Sequence, residues 1–137
     1  MNIDAATHMD AKAWHAAADA AAAKLETRLF IDGAYVDAAD GDRFTVINPA
    51  TGAPVAEMHA GTEKDIDRAV AAALKAFKSG VWSKMEPRIR MEVLYRFADL
   101  VEANTHELAV LDTLAIGKPL SDMLETDVPA VAQCSRF

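Results

Sequence analysis

The residue most suited to nucleophilic chemistry in this chain is Cys134, the single cysteine among 137 residues. A reactive cysteine requires a nearby cationic group that stabilises its thiolate. Arg136 lies two residues further along a predicted helix, and residues two apart do not share a helical face. We therefore interpret Cys134 as a small apolar side chain of a helix and predict no catalytic residue in this segment.

The histidines and glycines are equally unsuited to a metal or nucleotide site. No two histidines form a His-x-x-x-His pair, and no Cys/His cluster has zinc-ligand spacing. The 6 glycines form neither the Gly-x-Gly-x-x-Gly pattern of dinucleotide-binding folds nor a phosphate-binding loop. We expect this segment to hold no metal through its side chains and no nucleotide by itself. The histidines concerned are His8, His15, His59 and His106.

The charge balance limits the classes of partner. The chain has 14 Lys and Arg residues against 21 Asp and Glu residues, a net charge of −7. Binding to nucleic acid or to an anionic membrane needs clustered positive charge, so neither partner is expected. No apolar run is long enough to span a bilayer, and the N-terminus lacks the basic start of a secretory signal. A single cysteine fits a reducing compartment, and we predict a cytoplasmic protein.

Turn residues divide the region from Leu29 to Ala60 into short strands. Asp32-Gly33 separates two apolar triplets, as in a tight hairpin whose turn residues take positive φ angles. Asp40-Gly41 and the Asn48–Gly52 segment mark two further turns. The predicted strands cover residues 29–31, 34–36, 44–47 and 55–60.

Two helices are predicted on either side of these strands. Alanine occupies nine of the thirteen positions from Ala11 to Ala23, which favours a helix with little apolar surface. This helix is either docked on the rest of the chain or a marginally ordered extension. After the strands, Thr62 and Asp65 resemble a capping box that opens a second helix, and Gly80 is placed to end it.

Three further helical segments follow Pro87, which suits the first turn of a helix. Gly117-Lys118-Pro119 ends the second of them, and the last begins near Ser121 and is interrupted or restarted at Pro129. Apolar residues recur with helical spacing on each long segment. The residues of these stripes are Ile66, Val70, Ala73, Leu74 and Phe77; Ile89, Val93, Leu94, Phe97, Leu100 and Val101; and Leu108, Leu111 and Leu114.

The order of four short motifs resembles the opening segment of an NAD(P)-dependent aldehyde dehydrogenase. These motifs are Leu29-Phe30-Ile31-Asp32-Gly33, Asn48-Pro49-Ala50-Thr51-Gly52, Leu111-Asp112-Thr113-Leu114 and Gly117-Lys118-Pro119. The stretch Asp127-Val128-Pro129-Ala130 is similar to the bacterial subgroup that oxidises gamma-glutamylaminobutyraldehyde and related aldehydes. The resemblance covers about residues 28–137.

The resemblance implies an α/β fold, which as a fragment is α+β. A β-hairpin and short strands precede a helical bundle that normally packs on a Rossmann-like sheet. Residues 1–27 would form an N-terminal helical extension and residues 28–137 a truncated part of the NAD(P)-binding domain. The family oxidises an aldehyde to a carboxylic acid through a cysteine thiohemiacetal and thioester, with NAD or NADP as cofactor. Its catalytic and dinucleotide-binding residues lie beyond this chain, so we expect the segment alone to be inactive.

Two sites of the family fall on this chain. Many members hold a monovalent cation through backbone oxygens, here those of Val46 and Ile47, and through an aspartate that is replaced by Ala115. Thr126 and Ala130 occupy positions that line one wall of the substrate entrance, where small side chains would leave a wide mouth. Ordinary helix packing explains the last two positions equally well. The nearby Asp122, Glu125 and Asp127 either attract an amine-bearing substrate or form a solvated helix face.

Another class of protein stays open at this stage. The chain could be a free-standing module that kept the packing surfaces of this family and acts by binding another subunit, because exposed hairpin edges and uncovered apolar helices favour association. Intact members of the family are dimers or tetramers, so the resemblance implies a homo-oligomer. We expect the segment alone to self-associate.

Overall fold

The computed structural model describes residues 10–137 as short strands followed by packed helices. None of the helices in this range combines the length and apolar character that a bilayer crossing requires. A π-helical turn (Met123–Asp127) joins the last two helices. The elements are α1 (Ala11–Ala22), β1 (Leu29–Ile31), β2 (Ala34–Val36), β3 (Arg43–Ile47), β4 (Pro54–His59), α2 (Glu63–Ser79), α3 (Pro87–Ala103), α4 (Thr105–Ile116), α5 (Leu120–Asp122) and α6 (Val128–Arg136).

The strands form two separate antiparallel hairpins, β1–β2 and β3–β4. In the first, Leu29 pairs with Val36 and Ile31 with Ala34. Its turn residues have positive φ angles, 53° at Asp32 and 80° at Gly33. Such angles give a turn whose twist matches that of the flanking strands, as the Asp-Gly pair predicts.

The second hairpin turns at the Asn48–Gly52 segment. The Asn48 side-chain oxygen accepts the Ala50 N–H at 2.9 Å, and the Asn48 carbonyl accepts the Gly52 N–H at 2.8 Å. Gly52 has a φ of 71°, a left-handed conformation that glycine adopts at little cost. The side chain of Asn48 therefore stabilises the turn that contains Pro49, as this motif predicts.

Two buried polar side chains hold the loop after β2: His59 reaches it from β4 of the second hairpin, and Asp65 reaches it from α2. His59 Nδ1 accepts the Ala38 N–H at 3.0 Å, and Asp65 Oδ2 accepts the neighbouring Ala39 N–H at 3.0 Å. Asp65 Oδ2 also accepts the N–H of Thr62 at 3.1 Å and its hydroxyl at 2.9 Å. Consecutive amides after β2 are thus held by one side chain from β4 and one from α2. We call these two residues the polar clasp.

The clasp also satisfies the start of α2. Thr62 and Asp65 form the capping box that the sequence predicts, with Asp in place of the usual Glu or Gln. Arg68 donates to the second carboxylate oxygen of Asp65 at 3.2 Å. Because the carboxylate is 1% exposed and accepts several hydrogen bonds, its burial leaves no charged oxygen without a partner.

The alanine-rich helix α1 is docked. Ala18 and Ala21 of α1 are buried against Val110 and Leu114 of α4, and Val55 of β4 borders the same cluster. Asp10 caps the start of α1 by accepting the Ala13 N–H at 2.8 Å. Small side chains allow the two helix backbones to approach closely, so α1 packs without a wide apolar stripe. This settles the alternative of a marginally ordered extension in favour of docking.

The second core cluster lies between α3 and α6. Ala98 is completely buried, although the apolar periodicity of α3 did not single it out. Its methyl group lets α6 pack closely, and Ala132 on the facing helix is also completely buried. The cluster consists of Ala98, Val101, Ala109, Met123, Leu124, Val128 and Ala132.

Most of the predicted apolar stripes on α2 and α3 remain exposed. On α2, Ile66 and Val70 are each 59% exposed and Phe77 is 77% exposed. On α3, Phe97 and Leu100 are at least half exposed, while Val101 is buried. These faces have no cover within residues 10–137, and together they form an apolar surface of the kind that marks an interaction or an unfilled interface.

The sequence predicts that the last helical segment is interrupted or restarted at Pro129, and in the structure the chain changes from a π turn to an α-helix just before this residue, without a break. Proline at 129 has no N–H to donate and its ring crowds the carbonyl of the preceding turn. The chain widens into the π turn just before it, and the Val128 N–H donates to the Met123 carbonyl five residues earlier. Pro129 therefore sits in the first turn of α6 rather than ending the helix.

Asp65 of the polar clasp makes the free energy of unfolding depend on pH in the acid range. The amide hydrogen bond from Ala39, followed by that from Thr62, lowers the pKa of Asp65 from its ordinary 3.8. Because the folded-state pKa lies below the unfolded-state value, the stabilisation is present above 3.8 and is lost as pH falls through the folded-state pKa. We expect Asp65→Asn to lower stability at neutral pH and to flatten the acid dependence of the urea midpoint.

The matched control is Asp67→Asn, which changes an exposed carboxylate in the same helix. It is expected to leave both the midpoint at neutral pH and its acid dependence close to those of the parent chain. Equal acid dependence in the parent and the Asp65 variant would contradict the role of the clasp.

Candidate substrate-entrance wall

The two turn motifs of the sequence meet in the fold. Gly117 ends α4 with a φ of 76° and donates its N–H to the Thr113 carbonyl at 3.0 Å. A Cβ placed on Gly117 would lie 2.7 Å from Cγ of Pro49. Contacts this short do not occur, so only glycine permits this approach. The end of α4 is thereby held against the turn between β3 and β4.

A charged pair continues from this contact to the last helix. The Lys118 ammonium group bonds to Oδ2 of Asp127, nine residues further on at the end of the π turn. Both side chains are about one-third exposed, 37% for Lys118 and 36% for Asp127. Asp127 is therefore paired with a cation of its own chain, and of the three acidic residues noted in the sequence only Asp122 and Glu125 are exposed.

Thr126 and Ala130 lie on the outer side of this segment. Thr126 belongs to the π turn and Ala130 to the first turn of α6, and both are exposed. The opposite side carries Met123, Leu124 and Val128, which are buried in the core between α3 and α6. The segment thus presents two small side chains on a surface whose back is anchored by apolar contacts. We call residues 123–130 the wall segment.

An apolar groove lies on another side of the wall segment, between α3, α4 and α6. Its volume is roughly 570 Å³, within the range of small-molecule sites. Apolar side chains dominate the lining, which includes Phe97, Leu111 and Val131, with Asp127 at one edge. Thr126 and Ala130 do not line it. The groove and the two predicted entrance positions are therefore different surfaces.

The two cation positions lie at the end of β3. Val46 is half-buried and pairs with Ala56, whereas Ile47 is exposed and lies opposite Pro54 after a register shift. Proline cannot donate to this end of the ladder. Ala115, two residues before Gly117, has no carboxylate to offer. The chain supplies carbonyl oxygens but no charged ligand, and residues 10–137 contain no group of three metal-ligating side chains.

Cys134 has the environment of a surface thiol. It is exposed and unpaired on α6. The nearby Arg136 donates to Oδ1 of Asp99 at 2.7 Å and to Oε2 of Glu102 at 2.8 Å. The hydrogen bond from Arg136 lowers the pKa of Glu102. The only cation near Cys134 in sequence is thus engaged with α3, and the exposure of the thiol contradicts the predicted packing of Cys134 as a small apolar core residue.

Sequence reasoning missed the ion pair between Lys118 and Asp127 and the burial of His59. Lys118 was noted only as a member of a turn motif, and its partner lies nine residues away across a non-standard helical turn. His59 was one of four scattered histidines, yet it is 6% exposed and bonded to Ala38. Neither contact has a local sequence signal, because each depends on how separate elements meet.

Comparison with known proteins identifies the fold. Residues 35–137 match the pattern of the aldehyde dehydrogenase family. The chain belongs to the aldehyde dehydrogenase family. This confirms the resemblance drawn from the turn motifs, and the strand pairs followed by packed helices are the N-terminal part of the aldehyde dehydrogenase fold.

Three related proteins illustrate the similarity. The NADP/NAD-dependent aldehyde dehydrogenase PuuC of Escherichia coli is 44% identical over 113 residues, which are 82% of this chain and 23% of PuuC. The gamma-glutamyl-gamma-aminobutyraldehyde dehydrogenase of Burkholderia cenocepacia has a TM-score of 0.82 and 42% identity, over 88% of this chain and 25% of that one. A mutant of the P. syringae indole-3-acetaldehyde dehydrogenase AldA, in complex with NAD+ and IAA, has a TM-score of 0.81 and 41% identity over 87% and 24%.

This chain matches only part of each relative, which limits what family membership shows about its function. The chain spans about a quarter of the length of the relatives that it matches. Within an aldehyde dehydrogenase this part is the N-terminal segment of the fold.

The contact between Gly117 and Pro49 gives a direct test of how α4 is placed. Gly117→Ala and Gly52→Ala both put a side chain at a φ above 70°, which costs about 1–2 kcal/mol. A Cβ at Gly52 meets open space, whereas one at Gly117 meets the rigid ring of Pro49. We expect Gly117→Ala to lower the free energy of unfolding by about 1–3 kcal/mol more than Gly52→Ala, measured by urea denaturation.

A second variant separates the contact from backbone strain. Adding Pro49→Ala to Gly117→Ala removes the ring and is expected to recover much of the excess loss. Equal destabilisation by the two glycine variants, or no recovery in the double variant, would refute the packing role of Gly117.

Proposed function

We propose that this chain is the N-terminal segment of an NAD(P)-dependent aldehyde dehydrogenase that oxidises an aldehyde to a carboxylic acid. The observation that supports this most strongly is the family match over residues 35–137 together with coverage of about a quarter of each relative. In this proposal residues 1–27 form an N-terminal helical extension, and residues 28–137 form the first part of the NAD(P)-binding domain.

The cofactor would be held by the remainder of the longer protein. The described residues contain no glycine-rich strand-to-helix turn, so this segment does not fit a dinucleotide. NAD(P) would accept the hydride of the oxidised aldehyde when bound elsewhere in the protein. The bound NAD+ in the related AldA structure supports the choice of cofactor. What this segment would contribute is structure around the substrate entrance.

The exposed faces of α2 and α3 support the same proposal. Side chains such as Phe77 and Leu100 are more than half exposed and are arranged with helical periodicity. In a longer protein they would pack on later strands and helices, as helix faces pack on a sheet in α/β folds. The longer protein is proposed to be a cytoplasmic homo-oligomer, in agreement with its single thiol in this segment.

The substrate is proposed to be a bulky or polar aldehyde, such as one that carries an amine. Thr126 and Ala130 would leave a wide entrance, and the exposed Asp122 and Glu125 lie beside it. The similarity to PuuC and to the Burkholderia cenocepacia enzyme supports this class. A monovalent cation on the carbonyl oxygens of Val46 and Ile47 also stays a prediction, weakened by Ala115.

A free-standing interaction module is the second candidate, and the same exposed faces favour it. The gene sequence beyond codon 137 separates the two candidates. An open frame that continues into the catalytic part of the family supports the enzyme segment, whereas a stop codon supports the module.

The enzymatic proposal is tested by NADH formation from an aliphatic aldehyde. The longer protein is expected to form NADH, and the 137-residue chain alone is expected to form none. Cys134→Ala provides the matched control in the longer protein and should retain activity, because Cys134 is an exposed surface thiol. NADH formation by the 137-residue chain, or loss of activity in the Cys134 variant with normal folding, would contradict the proposal.

A further inference from the structure

The wall segment is fixed on its inner side but crosses an irregular turn. Met123 and Leu124 are buried before the exposed residues of the turn, and Val128 is buried after them. A π turn contains one residue more than an α-helical turn would need, and its position along a helix is set by local contacts. Pro129 disfavours a regular α-helical turn before it but does not decide how Thr126 is directed.

The ion pair between Lys118 and Asp127 constrains the geometry of the π turn. Asp127 is the last residue of the turn and is adjacent to Thr126. Lys118 directly follows Gly117, whose close approach to Pro49 fixes that point against the β3–β4 hairpin. The charged contact therefore connects the last residue of the turn to a rigid part of the fold.

The solvent exposure of the Lys118–Asp127 pair fits a role in positioning the turn better than a role in stabilising the fold. Both side chains are about one-third exposed, and ion pairs with that much solvent contribute little to the free energy of folding. A geometric constraint does not need a large contribution, because it has only to favour one arrangement of the turn over neighbouring ones.

We propose that Lys118 and Asp127 form a positioning pair that sets the π turn and thereby directs Thr126 and Ala130 at the substrate entrance. This inference rests on the proposed function for the role of the entrance. The pair itself is a property of the chain and is tested on the chain.

Hydrogen exchange in the 137-residue chain tests the geometric part. Lys118→Met and Asp127→Asn are each expected to speed exchange of the amides in residues 124–130 by about threefold, with little change in melting temperature. Lys118→Arg preserves the charge, and its amides in residues 124–130 should exchange at about the parent rate. The control Arg136→Met breaks the ion pairs at the other end of α6 and should leave these amides unchanged.

Unchanged exchange in both Lys118→Met and Asp127→Asn would overturn the proposal. So would an equal effect of Arg136→Met, because the segment would then respond to any loosening of α6. A double variant with the charges exchanged, Lys118→Asp with Asp127→Lys, should return exchange toward the parent rate, and failure to do so counts against the pair.

Kinetics of the longer protein test the functional part. Lys118→Met is expected to raise KM for the aldehyde several-fold with kcat nearly unchanged, and Lys118→Arg should lie close to the parent. Unaltered KM would overturn the positioning role even if exchange changes. A parent protein that oxidises no aldehyde would instead refute the proposed function, while the exchange experiment would still decide whether the pair sets the turn.

Discussion

The placement of α2 depends on the hydrogen bonds that the buried Asp65 carboxylate accepts. The helix has an apolar face, but that face points away from the rest of the described chain, and its nearest packed element is the short strand β1. The hydrogen bond from Ala39 to this buried carboxylate therefore provides a buried polar link between α2 and the hairpins, to which the exposed ion pairs Lys64–Asp40 and Lys75–Asp32 add. His59 holds the adjacent amide of Ala38 from the other side. A polar clasp replaces the apolar contact that a helix in a complete domain normally has.

The remaining helices form a more conventional core. Alanines at the contact points bring helix pairs close together, with Ala18 and Ala21 between α1 and α4, and Ala98 and Ala132 between α3 and α6. The contact between Gly117 and Pro49 connects this core to the second hairpin. The wall segment thus lies where the helical core, the hairpin turn and a charged pair meet.

The sequence predicts the local structure well and the packing less well. Asp32-Gly33, Thr62 with Asp65, Gly80 and Gly117 determine turns and helix ends through their own backbone preferences, and each behaves as predicted. The burial of Ala98 and the exposure of Cys134 could not be predicted in this way, because burial depends on which helix packs against which.

The sequence likewise predicts some features of the candidate site and not others. The resemblance to the family suggested Thr126 and Ala130, and the structure places both on an exposed surface, although their role at an entrance stays a prediction. The π turn and the pairing of Lys118 with Asp127 have no local signature. Both depend on how the segment around Pro129 and the Gly117 turn pack against other elements.

The central claim is that the apolar face of α2 has no cover within residues 10–137 and that the Asp65 carboxylate of the polar clasp holds the helix in place. Residue-resolved hydrogen exchange of the 137-residue chain at low concentration tests it most directly. The account predicts that amides in the middle of α2 exchange far faster than those of α4 and α6, because opening α2 exposes little additional apolar surface. Equal protection across α2, α4 and α6 would contradict it.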